Sequence, residues 1–184
     1  MTSWTIAGSL TVERVDERPD LIAEPVSAAL RWLRGGSDIG VVEIDPDLAD
    51  TAEFCAAYSS PLEASANCVV VAGKRSGETR YAAALVLATT RADVNTAIRR
   101  RLDVRKASFL GSEEAVELTG MAYGGITPIG LPEGWPVLLD SAVAGAAELV
   151  VGSGLRGSKL LVTGEFLAGL PNAEVIEGLG KPAS

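Results

Sequence analysis

The chain has 184 residues, 47% of them hydrophobic and 5% aromatic, and a net charge of −8. That is enough for one domain whose core of Ala, Val, Leu and Ile needs no disulfide or metal, and the acidity opposes non-specific binding to nucleic acid. The sequence holds no histidine, which removes a Ser–His–Asp triad, a Cys–His pair and a His-ligated metal.

The N-terminal stretch MTSWTIAGSLTVERVD lacks the basic region and apolar core of a secretory signal. No apolar run approaches the ~20 residues that span a bilayer, so no membrane partner is expected. Cys55 and Cys68 lack metal-like spacing and read as reduced thiols of a cytoplasmic protein. In chain order, Leu10-Thr11-Val12 can form an edge strand or arm. Helical spacing of Leu21, Ile22, Val26, Leu30 and Leu33 predicts a helix over 20–33, ended by Arg34-Gly35-Gly36. Val41–Ile44 reads as a strand. Asp45-Pro46 starts a helix that ends near Tyr58, with Asp45 as N-cap. The apolar runs 67–72 and 81–88 predict an antiparallel hairpin, with the polar segment 73–80 as a long loop. Asp93 caps a helix through Arg101, 105–110 can be a strand, and Ser112-Glu113-Glu114 opens a helix by side-chain capping that Gly120 closes. Strands follow at 137–139, 148–151 and 159–162, then a last helix over 164–170. The tail 178–184 is expected to be loose. Hairpins interspersed with helices, no internal repeat and no long linker predict a single α+β domain with a mixed sheet.

The segment GMAYGGITPIGLPEGWPVLLD, 120–140, is the most distinctive. Gly124 and Gly125 permit close approach to the main chain, and Pro128 stiffens the exit. Such a loop suits presentation of backbone N–H groups to a ligand, or a plain turn. Gly152-Ser-Gly-Leu-Arg-Gly157 fits the glycine pattern of a dinucleotide site, but a strand-like run follows where a helix is needed, so a tight hairpin turn is the better reading. Arg99, Arg100, Arg101, Arg105 and Lys106 form the one basic cluster. They either contact phosphates or complement a helix C-terminus. No aromatic is interleaved there, so base stacking is not expected. Cys68 reads as a buried structural thiol. Tyr58 and Tyr123 either line a pocket or pack inside.

From about Asp45 to Leu170 the chain resembles the YbaK/ProX family of aminoacyl-tRNA editing domains. The resemblance rests on an acidic helix followed by G-x-x-Y-G-G-x-x-P-I-G and an apolar strand ending in Asp140. The strand at 67–71, Asp93-Val94, Lys106-Ala107 and Gly-Leu-Arg-Gly at 154–157 support it. The resemblance implies an α+β, mostly antiparallel, barrel-like sheet flanked by helices, filling the chain 1–184 with a divergent segment over about 1–40. It implies a free-standing deacylase that hydrolyses the ester of a mischarged tRNA, typically tRNA for proline, without metal or other cofactor. Implied partners are the acceptor end of aminoacyl-tRNA, held at its phosphates by Arg99, Arg100, Arg101, Arg105 and Lys106, and prolyl-tRNA synthetase. Carried over residue by residue, Gly124 and Gly125 hold the ester carbonyl with Asn67 as a further catalytic donor, and Thr127, Pro128, Asp140, Gly152 and Ser153 line the substrate pocket.

Two regions depart from the pattern. Many members carry lysine where Asn67 stands, and Lys74 lies more than about 20 Å along the strand at ~3.3 Å per residue, too far to replace it. Near the C-terminus the family's Ser and Asp fall on Gly152 and Lys159. The alternative to a deacylase is therefore a binding module of the same fold that holds an aminoacyl group, an amino acid or a synthetase.

Overall fold

The computed structural model describes residues 3–183. Residues 1, 2 and 184, at the outer ends of the divergent segment and the expected loose tail, lie outside the described residues. The strands are β1 (Glu13–Arg14), β2 (Gly40–Glu43), β3 (Ala66–Arg75), β4 (Glu78–Leu87), β5 (Thr90–Ala92), β6 (Ala107–Phe109), β7 (Val137–Asp140), β8 (Leu149–Gly152), β9 (Ser158–Val162), β10 (Ala173–Ile176) and β11 (Gly180–Pro182). The helices are α1 (Glu24–Leu30), α2 (Thr51–Tyr58), α3 (Arg99–Leu102), α4 (Ser112–Thr119), α5 (Ser141–Ala144) and α6 (Gly164–Ala168).

One antiparallel sheet has the order β1-β2-β9-β8. A second has the order β10-β7-β4-β3-β6, in which β7 runs parallel to both β4 and β10. β11 pairs with β5 in a short third sheet. The fold is α+β with mixed, mostly antiparallel sheets, as the sequence predicts. The barrel-like closure is not formed. The two larger sheets keep their edges, and among the described residues a single parallel bridge, Ser65 to Val150, joins them.

Burial explains the layers. One cluster fills the space between the sheets, with Leu85 and Leu139 from one and Val41, Leu149 and Leu160 from the other. A second covers the outer face of the five-stranded sheet with Ile98 and Leu102. A third seats Phe54 and Cys55 of α2, with Ile6 and Ala7, on Val42, Val150 and Leu161. β4 is covered on both faces, so Ala82 to Leu85 are fully buried and read as one apolar run, without alternation.

The local differences have local causes. Both hairpin strands run on through the polar segment expected to be a loop, pairing Gly73 with Arg80 and Arg75 with Glu78. Only Ser76-Gly77 turns, with φ +51° and +81°, the doubly positive pair that a two-residue hairpin needs. Solvent surrounds this end, so its polarity hid the strands. The helix expected from Asp45 starts later. The Asp45 carboxylate accepts from Asp47 N at 2.9 Å over a 3-10 turn, and α2 begins at Thr51. The helix over 20–33 shortens to α1, with Pro25 in its first turn. Asp93 does cap, accepting from Thr96 N at 3.0 Å, but a wide π turn, Val94–Ile98, precedes α3. Ser112 makes no side-chain cap; Gly111 stands at the N-cap, and Gly120 closes α4 at φ +69°. Pairing at the N-terminus begins at Glu13, beyond Leu10–Val12. The tail is tied down by β11, whose Lys181 pairs with Arg91 of β5.

Candidate active site

The loop after α4 is fixed by contact with the turn between β8 and β9. Ala122 N donates to Gly154 O at 2.8 Å, and Gly154 N donates to Gly125 O at 2.7 Å. A methyl at Gly125 would come within 2.6 Å of Leu155 O, and one at Gly152 within 2.5 Å of Gly125 O. The two glycines are where main chain packs on main chain. Gly125 N donates to Ala122 O at 2.9 Å, closing a turn with Gly124 at φ +86°. The turn is pinned by Arg156, which donates to Tyr123 O (3.3 Å) and Pro46 O (3.1 Å).

This corrects the expected donor pair. The Gly125 amide is spent inside the turn. The amides of Gly124 and Ile126 have no acceptor among the described residues, and both residues line a cleft of about 400 Å³. The far wall is the start of β3 with the first turn of α2. There Thr51 Oγ1 donates to Asn67 Oδ1 at 2.7 Å, which orients the amide and leaves Asn67 Nδ2 as a donor. Exposed Tyr123 and Phe109 stand at the rim.

The remaining predicted residues divide. Gly152 lines the cleft. Thr127 and Pro128 are buried behind the loop; Thr127 N donates to Met121 Sδ at 3.5 Å, and its hydroxyl has no partner among the described residues. Ser153 is fully buried and holds its own turn, with its Oγ 2.7 Å from Ser158 Oγ and accepting from Leu155 N at 3.2 Å. Asp140 is buried at the end of β7, where its carboxylate abuts Gly180. These four carry structure around the cleft and do not line it. Burial pushes the Cys68 thiol up to about 12, so it stays protonated. Tyr58 OH accepts from Asp45 N at 2.9 Å and packs on Phe54, so it is a packing residue. The 152–157 glycines form the β8–β9 hairpin turn, with Gly152 paired to Lys159 and no helix following.

The basic cluster splits as well. Arg101 forms a two-pronged pair with Glu174 at 2.6 Å, and Arg99 Nε donates back to Asn95 O at 2.8 Å. Arg100, Arg105 and Lys106 are exposed. Lys106 lines a second cleft of about 730 Å³ with Asn95 and Lys181, and Asn67, Val69 and Phe109 lie on the walls of both clefts. The sequence shows no aromatic interleaved with the basic cluster; nearby on edge strand β6, Phe109 is an exposed aromatic, 62% accessible.

Lys159, noted in the sequence only as a departure from the family's Asp, is the other residue not expected in the site. It enters the first cleft from β9, 8% exposed, with Nζ donating to Ala49 O at 2.7 Å. Burial lowers its pKa, nearby Asp50 works in the opposite direction, and Arg156 adds to the lowering. The sequence signals were a lysine inside an apolar strand and its place at the position where the resembled family carries Asp.

The family profile for the aminoacyl-tRNA editing domain matches residues 45–170. No curated protein matches the chain. A solved structure described as a proposed trans-editing enzyme for prolyl tRNA synthetase is 26% identical, over 86% of this chain and 96% of that one, with a TM-score of 0.71. A hypothetical protein, APE2540, shares the fold at 18% identity and a TM-score of 0.73, over 86% of this chain and all of its own. No helix among the described residues is long and apolar enough to cross a membrane. The matched span contains every wall of the cleft, from Ala49 to Lys159, and the chain belongs to the aminoacyl-tRNA editing domain family.

Proposed function

We propose that this chain is a free-standing deacylase of the cytoplasm that hydrolyses the ester of a mischarged tRNA, with tRNA for proline as the carrier. The observation that carries the reading is that Gly124 and Ile126, whose amides have no acceptor among the described residues, line the same cleft as the Asn67 amide. Ester hydrolysis builds negative charge on the carbonyl oxygen, and fixed donors that need no reorganisation stabilise it. Asn67 Nδ2 adds a neutral donor. The ribose hydroxyl beside the ester assists the attack, so the protein itself supplies position and polarisation and needs no metal. The terminal base lies against Phe109, and the preceding phosphates follow the second cleft past Lys106 and Lys181, with Arg100 and Arg105 beyond. The description of the similar structure makes prolyl-tRNA synthetase the partner to test.

The test is release of amino acid from a panel of mischarged tRNAs, beginning with alanyl and cysteinyl esters of tRNA for proline, in the presence and absence of chelator. Wild type cleaves at least one ester regardless of chelator, and Asn67→Ala is slower by roughly a hundredfold, the usual cost of losing one such donor. No cleavage anywhere in the panel overturns the proposal. A second reading is favoured by Asn67 itself, whose carbonyl is already held by Thr51. A pure binding module would retain aminoacyl-adenosine without turning it over, and Asn67→Ala would change affinity alone.

A further inference from the structure

Lys159 is a buried cation with unspent donors. An ammonium carries three N–H groups. One is given to Ala49 O at 2.7 Å, and the other two have no hydrogen-bond acceptor among the described residues. The Phe54 ring lies 5.6 Å away and supplies a face, not an acceptor. No carboxylate lies within ion-pair distance of Lys159 among the described residues; the nearby Asp50 is exposed and sits 3.9 Å from Arg156. A buried charge left this incompletely paired is costly to keep, and a chain with 24 acidic residues has not set one against it. Its place is specific. Lys159 is paired in register with Gly152, whose missing side chain lets β8 pack on the Gly125–Ile126 backbone. Lys159 therefore lines the same cleft as Asn67 and as Gly124 and Ile126, whose amides are unengaged.

We propose that Lys159 is the substrate-binding cation of this cleft, donating its two unused N–H groups to an oxygen at the aminoacylated 3′ end. This rests on the deacylase reading for the identity of the ligand. The acceptor chemistry is a carbonyl or phosphate oxygen, and the two sources are separable. A lysine that merely pinned α2 through Ala49 O would not respond to the ligand.

The experiment measures binding of 3′-alanylamino-3′-deoxyadenosine, whose amide resists hydrolysis, with and without a 5′-phosphate. Wild type is compared with Lys159→Met, Lys159→Arg and, as a control at the exposed end of β3, Lys74→Met. Lys159→Met, of similar length and apolar, is expected to fold, checked by thermal melting; Lys159→Gln, which keeps a neutral donor, serves if it does not. Loss of a charge-assisted hydrogen bond weakens binding about tenfold to a hundredfold. Lys159→Arg retains most of the affinity, and Lys74→Met all of it. A loss with both ligands assigns the carbonyl; a loss confined to the phosphorylated ligand assigns the phosphate. Equal affinity of wild type and folded Lys159→Met for both ligands overturns the proposal, as does failure of wild type to bind either. Failure of the deacylase reading shows differently: wild type then binds the analogues through Lys159 and hydrolyses no ester.

Discussion

Neither loop glycine has room for a methyl group: at Gly124 it would meet the Arg156 side chain at 2.2 Å, with φ at +86°. At Gly125 it would meet the Leu155 backbone at 2.6 Å, and main chain held by its own hydrogen bonds yields little. Gly125→Ala is expected to lose about 1–3 kcal/mol of stability, read as a lower denaturant midpoint, and to lose function through the displaced loop. Such a variant reports on docking, not on an amide donor. Lys159 makes a second claim at this scale. Burial lowers its pKa below the ordinary 10.5, so between the lowered value and about 10.5 the folded chain sheds this proton while the unfolded chain keeps it. The unfolded state then binds more protons, and stability rises with pH from the lowered value up to about 10.5. Lys159→Met lacks that rise. Urea melts across the alkaline range should show the difference between the two proteins changing in favour of wild type as pH increases; a constant difference refutes the assignment. The residue scale is also where the sequence was hardest to read. The loop that holds Gly124 and the strand that begins near Asn67 were legible because both carry local patterns; the roles given to these residues came from the family resemblance, and Gly125's amide is engaged inside the turn. Thr127, Pro128, Ser153 and Asp140 stand beside legible residues in the chain but are buried outside the cleft lining, and nothing in sequence order gives that placement. Lys159 and Phe109 reach the site from strands remote in sequence.

Among the elements, the β3–β4 hairpin and the β8–β9 turn show what local chemistry decides. Gly77 has open space around its α-carbon and φ +81°, so Gly77→Ala is expected to cost about 1 kcal/mol from backbone strain alone. The β8–β9 turn depends on Ser153, whose hydroxyl meets Ser158 Oγ and Leu155 N, and Ser158 in turn donates to Leu21 O. Ser153→Ala leaves buried groups unpaired and should cost about 1–3 kcal/mol. Because Gly154 of this turn holds the 122–125 loop, hydrogen exchange at Gly125 should speed up with it. Element types were mostly legible, since apolar runs and capping residues act locally. Their ends were not: 73–80 is strand despite its polarity, and β5, β10 and β11 are short pairings that only a partner strand reveals. The open edges of the two main sheets depend on pairing across the whole chain, which periodicity does not encode.

At the scale of the molecule, the net charge of −8 coexists with a second cleft that holds Lys106 and Lys181, with Phe109 on the ridge between the clefts. Binding of an acceptor-stem hairpin ending in CCA should weaken with salt, though with a shallow slope because few phosphates are met. Phe109→Ala should weaken it about tenfold or more while Phe109→Trp restores it, since base stacking on an aromatic is worth ~1–3 kcal/mol; equal binding by Phe109→Leu and Phe109→Trp would refute the stacking role. The walls of the first cleft come from Ala49 at one extreme and Lys159 at the other. During synthesis, therefore, the site comes into being late. A nascent chain that has emerged as far as Gly130 already carries Asn67, Phe109 and both free amides, but it has neither the turn that holds its loop nor Lys159. A prematurely terminated product would not be a weaker version of the whole: it would present the inner face of a sheet with no second sheet to cover it. Quality control at the ribosome would meet that species as exposed apolar surface, long before it could meet a tRNA.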